Sequence, residues 1–219
     1  MEHDLFEYLQ SYLTDRRKQL FSEVLANRTR HFTVVTEDVY QLHNTSAVVR
    51  SCDVFGIQDL HVVEDRKGKR VDRQIAMGAQ KWVDIKRYAR VEECIVQLRK
   101  EGYSIIATTP HRPTVTLDEF PVETRAAFFF GKEDTGLSDK VIDLADERLA
   151  IPMYGFTESL NISVSAAIVL QHLVAKLRNA RVNWQLSPAE RHAIEIDWTK
   201  RSIKHVEKII ARYTKDNIL

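Results

Sequence analysis

The sequence predicts an α/β fold, with a parallel sheet covered by helices on both faces. Short runs rich in β-branched and aromatic residues alternate with segments that show helical spacing of apolar residues, as parallel strands joined by helices require. The run AAFFF at Ala126–Phe130 lacks any polar alternation, which is typical of a central strand buried on both sides. With 219 residues and 44% hydrophobic content, the chain is large enough for one well-packed domain with appendages.

The elements follow in order along the chain. The predicted strands cover residues 31–36, 59–64, 81–87, 103–108, 126–130 and 148–151. The predicted helices between them cover residues 91–101, 138–145 and 160–178, and another follows the first strand. That helix is expected to begin at an N-cap, Asn44 or Thr45, because Ala47, Val48 and Cys52 recur near helical spacing.

Both ends of the chain are predicted to be helical extensions of the sheet domain. Residues 4–26 carry an amphipathic helical pattern with one possible break, and residues 1–30 are assigned to an N-terminal extension. Residues 31–180 then form the sheet domain and 181–219 a C-terminal tail. In the tail, one helix starts at Ser187-Pro188 and a second is predicted over residues 197–212.

The overall charge is nearly balanced, with 32 Lys and Arg against 31 Asp and Glu, so the whole chain is not a polycation. Residues 65–90 nevertheless hold nine basic and three acidic side chains, and a second basic cluster contains Arg16, Arg17 and Lys18. Such patches either meet phosphates or are ordinary solvated surface. Cys52 and Cys94 lie in apolar helical patterns, which favours two reduced, packed thiols over a disulfide.

Several well-known classes of protein are disfavoured. The N-terminus has acids where a secretory signal has basic residues, and no apolar run has the length of a membrane span, so a cytoplasmic protein is expected. No Gly-x-Gly-x-x-Gly follows a strand. The segment FFFGKEDTG fails as a phosphate-binding loop, since Ala126 and Glu133 occupy positions that require Gly and Ser or Thr. No zinc-ligand spacing and no Gly-x-Ser-x-Gly elbow is found, and no metal is expected.

Three loops that follow predicted strands are candidates for a binding crevice. They carry the sequences TTPHRP, GKEDTGLS and PMYGFTESLN. Ligands of open parallel sheets bind beyond the carboxyl ends of the strands, so these loops border one crevice if their strands are neighbours.

Three blocks in order resemble the motifs of a known family: HNTSAVVRSCDVFGI, FFFGKEDTGLS and IPMYGFTESLNISVSAAI. They are similar to the motifs of the SPOUT methyltransferases, most of all the TrmH branch, which methylates the ribose 2′-hydroxyl in RNA. The resemblance implies a C-terminal third threaded into a deep trefoil knot, a homodimer, and S-adenosyl-L-methionine bound in the knot. Within the branch it is strongest to the enzymes that modify guanosine 18 in the tRNA D-loop, so tRNA is the implied partner.

The resemblance also implies roles for individual residues. The implied cofactor-binding residues are Thr108, Gly131, Ile151, Met153 and Leu160. The implied catalytic residues are Arg50, Asn44, Glu133, Ser159 and Asn161. Candidate RNA-binding residues are Arg16, Arg17, Lys18, His43, Arg66, Lys67 and Arg70. Because a guanidinium stays protonated, Arg50 is expected to stabilise charge on the ribose oxygen and hold phosphate, with the proton leaving to phosphate or water.

Simpler interpretations remain open for these residues. Arg50 could be a helix-surface cation and Glu133 a surface acid, while Asn44, Ser159 and Asn161 could serve only as helix caps. A ribosomal RNA 2′-O-methyltransferase of the same branch is a second hypothesis, although about thirty residues before the core are too few for a separate RNA-binding domain. A non-catalytic RNA-binding factor is a third, and the presence of all five implied catalytic residues argues against it.

Overall fold

A parallel sheet organises residues Thr29–Trp184 in the computed structural model, which describes residues 2–39, 42–64, 76–111 and 114–217. Seven strands are present in these ranges, in the spatial order β3-β2-β1-β6-β4-β7-β5. They are β1 (Phe32–Glu37), β2 (Asp59–Val63), β3 (Asp84–Tyr88), β4 (Ser104–Thr108), β5 (Val115–Thr116), β6 (Ala126–Phe130) and β7 (Glu147–Ala150). All neighbouring pairs are parallel.

Helices follow most of the strands, as the predicted α/β fold requires. The helices are α1 (Glu2–Gln10), α2 (Asp15–Leu25), α3 (Leu42–Phe55), α4 (Val91–Lys100), α5 (Asp139–Leu144), α6 (Ile162–Asn179), α7 (Pro188–Ser202) and α8 (Val206–Asn217). A 3-10 turn, Ala79–Lys81, precedes β3. The parallel α/β architecture predicted from the sequence is therefore confirmed.

Each face of the sheet is covered by its own helices. Phe128 on β6 belongs to the larger core, which also holds Val48 of α3 and Ala166 of α6. Its neighbour Phe129 faces the opposite core, which includes Leu98 of α4. Every residue of β6 is buried, as the AAFFF run predicts, and the strand pairs with β1 on one side and β4 on the other.

The described residues up to Arg28 and those from Gln185 onward form a second compact unit. The Phe6 ring meets His192 edge-on with centroids 5.1 Å apart, and Phe21 meets Trp198 at 5.5 Å. The buried Arg28 guanidinium lies 5.3 Å from the Trp198 ring centroid, a cation–π arrangement inside the unit. This unit is built from both ends of the chain.

Three predicted boundaries are wrong. The strand predicted over residues 81–87 begins only at Asp84, because Ala79–Lys81 forms a 3-10 turn. The helix predicted over residues 197–212 is interrupted, because α7 ends at Ser202, Ile203 is extended and His205 has a φ of 56°. The apolar spacing across the break is compatible with one continuous helix, so periodicity does not reveal it. Asn44 and Thr45 are also not N-caps, since α3 begins at Leu42.

Other findings concern single features of the sequence. The two-residue strand β5 lies in a stretch with prolines at positions 110, 113 and 121 and carries no strand pattern of its own. Cys52 and Cys94 are both buried and form no disulfide bond with each other, as predicted. In the part of the chain that is described, none of the helices is long and apolar enough to cross a bilayer.

Candidate active site

A cavity of about 530 Å³ opens where three strand-following loops meet. It is lined by residues 108–111 after β4, residues 130–137 after β6, and residues between Leu149 and Ser165 after β7. Strands β6, β4 and β7 are neighbours in the sheet, so their carboxyl ends lie side by side. The prediction that these three loops border one crevice is confirmed.

Most of the residues implied as site residues line this cavity. They are Thr108, Gly131, Glu133, Ile151, Met153, Ser159 and Leu160. Thr108 donates from Oγ1 to the Phe129 carbonyl at 2.6 Å, which ties the end of β4 to β6. Ile151 and Met153 are half-buried and give the cavity apolar wall, while Lys132 and Arg148 contribute positive charge and Asp143 negative charge.

Gly131 is required at its position by a close approach of two backbone segments. The loop folds back so that Lys132 and Gly136 exchange backbone hydrogen bonds of 3.0 Å. A Cβ atom on Gly131 would lie 2.2 Å from the Gly136 carbonyl carbon, far inside contact distance. The tight turn that closes one side of the cavity therefore accepts only glycine there.

Asn44, Glu133 and Asn161 form a hydrogen-bonded cluster at the cavity. Asn44 Nδ2 donates to Glu133 Oε1 at 3.1 Å, and Asn161 Nδ2 donates to the same oxygen and to Asn44 Oδ1 at 3.2 Å. The cluster links α3, the loop after β6 and the start of α6, which are far apart in the sequence. Asn161 also caps α6. It therefore serves both as a helix cap and as a member of this cluster.

Two further contacts position these loops and were missed by sequence reasoning. Ser163 donates to Asn161 Oδ1 from its backbone nitrogen at 2.9 Å and from Oγ at 2.6 Å, which fixes the orientation of the Asn161 amide. The buried Glu37, at the end of β1, accepts hydrogen bonds from Ser138 N at 2.9 Å and Oγ at 2.7 Å. Asn-x-Ser at a helix start is a recognisable capping pattern, whereas nothing in the sequence pairs Glu37 with Ser138.

Arg50 lies apart from this cluster. It is exposed on α3, does not line the cavity and has no ion pair within the described ranges. It lies six positions after Asn44 in the helix, which places it about 9 Å further along the axis and about 1.7 turns around it. The structure therefore joins Asn44, but not Arg50, to the cavity residues of the same chain.

The predicted RNA-binding residues are spread over several segments. Arg16 and Arg17 are exposed on α2, and Lys18 forms a 3.4 Å ion pair with Asp15. His43 is exposed near the start of α3. The remaining candidates, Arg66, Lys67 and Arg70, lie outside the described residues. Among the described residues, no group of side chains is found that could hold a metal ion.

Comparison with known proteins identifies the family. The model of the SpoU rRNA Methylase family matches residues 31–171. The chain is 34% identical over 201 residues to a tRNA (guanosine(18)-2′-O)-methyltransferase of Borreliella burgdorferi, with 92% of each chain covered. It is 31% identical over 193 residues to the protein of the same name from Thermus thermophilus, covering 86% of this chain and 98% of that one.

Structural similarity agrees with the sequence comparison. The crystal structure of the A. aeolicus TrmH/SpoU tRNA modifying enzyme is similar with a TM-score of 0.79 and 28% identity, over 87% of this chain and 98% of that one. The family match spans more than half of the chain and includes all three motif blocks. The chain belongs to the SpoU rRNA Methylase family.

Proposed function

We propose that this protein transfers a methyl group from S-adenosyl-L-methionine to the 2′-hydroxyl of guanosine 18 in tRNA. The observation that carries the proposal is the cavity formed by the family motifs, with the Asn44–Glu133–Asn161 cluster beside it. The B. burgdorferi and T. thermophilus relatives, which carry this activity in their names, match over most of both chains. Such a tRNA reaction belongs in the cytoplasm.

The cavity fits S-adenosyl-L-methionine in size and in chemistry. A volume of about 530 Å³ lies within the range of small-molecule sites. Ile151, Met153 and Leu160 offer apolar surface to the adenine ring, and the backbone at Gly131 approaches closely without a side chain. When bound, the cofactor supplies a methyl group made electrophilic by its positive sulfur. The knot implied by the family resemblance is proposed to form where residues 151–161 pass the other cavity loops.

Arg50 is proposed to act on the substrate rather than on the cofactor. A guanidinium holds phosphate through two parallel hydrogen bonds and stabilises negative charge on a reacting oxygen. Since Arg50 lies about 9 Å along α3 from Asn44, we propose that it serves the cavity of a second copy of the chain. Its exposed position leaves it available for this contact.

A homodimer is the proposed active form. Val164 on α6 is 45% exposed and Leu160 is 36% exposed, and Tyr154 and Phe156 in the preceding loop are almost fully exposed. Large apolar side chains exposed together around one element favour an interface. A dimer that buries part of α6 would cover them, and sedimentation showing a fully active monomer would contradict it.

The test uses matched tRNA substrates that differ in one oxygen atom. A tRNA with 2′-deoxyguanosine at position 18 is expected to bind normally, because phosphate contacts dominate affinity. It should accept no labelled methyl group from the cofactor, because its nucleophile is missing. Full labelling of the deoxy substrate would show that a base is methylated, and labelling of ribosomal RNA in place of tRNA would favour the ribosomal alternative.

A further inference from the structure

We infer that Glu133 is the proton acceptor for the ribose 2′-hydroxyl, an inference that rests on the proposed function. The loss of this proton has to be assigned to some group, and a protonated guanidinium such as Arg50 cannot accept it. Glu133 lines the cavity and carries a carboxylate. It is the cavity acid that side chains from two other elements hold in place.

The hydrogen bonds of Glu133 distinguish its two oxygens. Oε1 accepts from Asn44 Nδ2 and Asn161 Nδ2, whereas Oε2 receives no hydrogen bond from the residues that the structure describes. Asn161 is itself fixed by Ser163, so this arrangement is preorganised by hydrogen bonds of the protein itself. A held carboxylate with one uncommitted oxygen at a cavity is the geometry that a general base requires.

The other acids and the histidine of the cavity lack this arrangement. The carboxylates of Asp143 and Glu158 receive no hydrogen bond from the described residues. The Asp134 carboxylate accepts hydrogen bonds from the neighbouring Thr135, within its own turn. The His111 ring has no hydrogen-bond partner among the described residues, and only its backbone nitrogen bonds to Thr109. These groups are not oriented by tertiary contacts, so the geometry favours Glu133.

The chemistry requires only a weak base. As the 2′-oxygen forms its bond to the methyl carbon, the bond from that carbon to sulfur breaks and the sulfur keeps the electron pair. The oxygen then carries both the methyl group and its original proton, which makes that proton strongly acidic. Glu133 Oε2 accepts the proton and passes it to water, and the products are the neutral methyl ether and the neutral thioether. A carboxylate is sufficient because proton transfer accompanies or follows methyl transfer.

The experiment compares Glu133→Gln with Glu133→Asp and with Glu123→Gln, a control on an exposed acid before β6. Glutamine keeps an oxygen acceptor for Asn44 and Asn161 but places an amide nitrogen where Oε2 lies. Single-turnover methyl transfer should fall about a hundredfold or more in Glu133→Gln. Glu133→Asp should recover part of that loss, and Glu123→Gln should match the wild type.

Two readouts other than activity separate proton acceptance from positioning. Calorimetry should give cofactor and tRNA affinities for Glu133→Gln within about threefold of wild type, and the ¹⁵N side-chain signals of Asn44 and Asn161 should stay at their bonded positions. A normal single-turnover rate would overturn the inference. So would a slow rate accompanied by shifted amide signals or lost affinity, because Glu133 would then be a positioning residue. A wild-type protein that leaves the 2′-hydroxyl unmethylated would instead refute the proposed function.

Discussion

Asn161 Nδ2 donates a hydrogen bond to Glu133 Oε1, while Asn161 Oδ1 accepts one from the backbone of Ser163 at 2.9 Å. One amide group therefore caps α6 and holds the cavity acid at the same time. The oxygen performs the first task and the nitrogen the second. Substitutions that remove only one of these atoms separate the two contributions.

Asn161→Asp is expected to keep the helix cap but lose methyl transfer. Aspartate is as good an N-cap as asparagine, so the contribution of the cap to the free energy of unfolding should be retained. Its second oxygen cannot donate and repels Glu133, so single-turnover transfer should fall at least about tenfold. Asn161→Ala should lose about 0.5–2 kcal/mol as well as the activity. Urea unfolding with single-turnover assays tests both, and an active Asn161→Asp enzyme would contradict the role of the nitrogen.

Gly131→Ala is expected to lower cofactor affinity by about tenfold or more. The added Cβ would lie 2.2 Å from the Gly136 carbonyl carbon, so the turn has to open and the cavity wall moves. Gly155→Ala is the matched control, because its Cβ would have no heavy atom within 4 Å. Calorimetric titration with S-adenosyl-L-methionine should distinguish the two variants, and equal affinities would show that the turn is not part of the cofactor site.

Arg50→Ala should lower turnover by about a hundredfold or more while leaving cofactor affinity within about twofold of wild type. Arg50 does not line the cavity, and loss of one preorganised charge contact at a reacting oxygen costs on the order of a hundredfold in rate. Arg50→Lys keeps the charge but not the bidentate geometry, so it should recover only part of the rate. Single-turnover kinetics with calorimetry measures both, and a near-normal rate for Arg50→Ala would refute its proposed role.

Because of His61, the stability of the protein should decrease as the pH falls from 6.5 to about 4. Burial lowers the pKa of His61 from 6.5 to about 4, and the ring is stacked on Tyr88 with Nδ1 3.1 Å from its hydroxyl. The unfolded chain binds a proton at His61 below pH 6.5 while the folded one does not, so unfolding becomes easier by up to about 1.4 kcal/mol per pH unit. Above pH 6.5 His61 does not lower the stability, because the unfolded chain no longer gains a proton there.

The matched variant is His61→Leu, which has no group to titrate at this position. Urea unfolding at pH 7, 6 and 5 should show a steeper loss of stability in the wild type than in His61→Leu. Parallel slopes for the two proteins would show that His61 does not carry this pH dependence.

The sequence predicted the parts of the fold that depend on local pattern. The AAFFF run identified β6 as a central strand, because a strand buried on both faces has no polar alternation. The three loops at the cavity followed from the rule for open parallel sheets, once their strands proved to be neighbours. The family resemblance was confirmed by the match to residues 31–171.

Features that depend on tertiary contacts could not be predicted. The bond between Asn44 and Glu133 joins residues 89 positions apart, and no local pattern encodes it. The break between α7 and α8 is also invisible to periodicity, since His205 turns the chain without disturbing the apolar spacing. Helix geometry alone does not separate Arg50 from the cavity. The separation becomes visible only once α3 is known to begin at Leu42 and Asn44 is known to contact Glu133.

The position of β6 has a consequence for the order of folding during synthesis. It lies between β1 and β4, both of which the ribosome makes earlier, and β7 is likewise inserted between the earlier β4 and β5. Until residue 130 emerges, β1 carries one unpaired edge of hydrogen-bonding groups and β4 carries two, because both neighbours of β4 come later in the chain. Such edges invite pairing with other chains. The nascent chain therefore holds one three-stranded part, β3-β2-β1, and two strands without partners, β4 and β5. Its most aggregation-prone interval ends only when the late strands β6 and β7 are inserted.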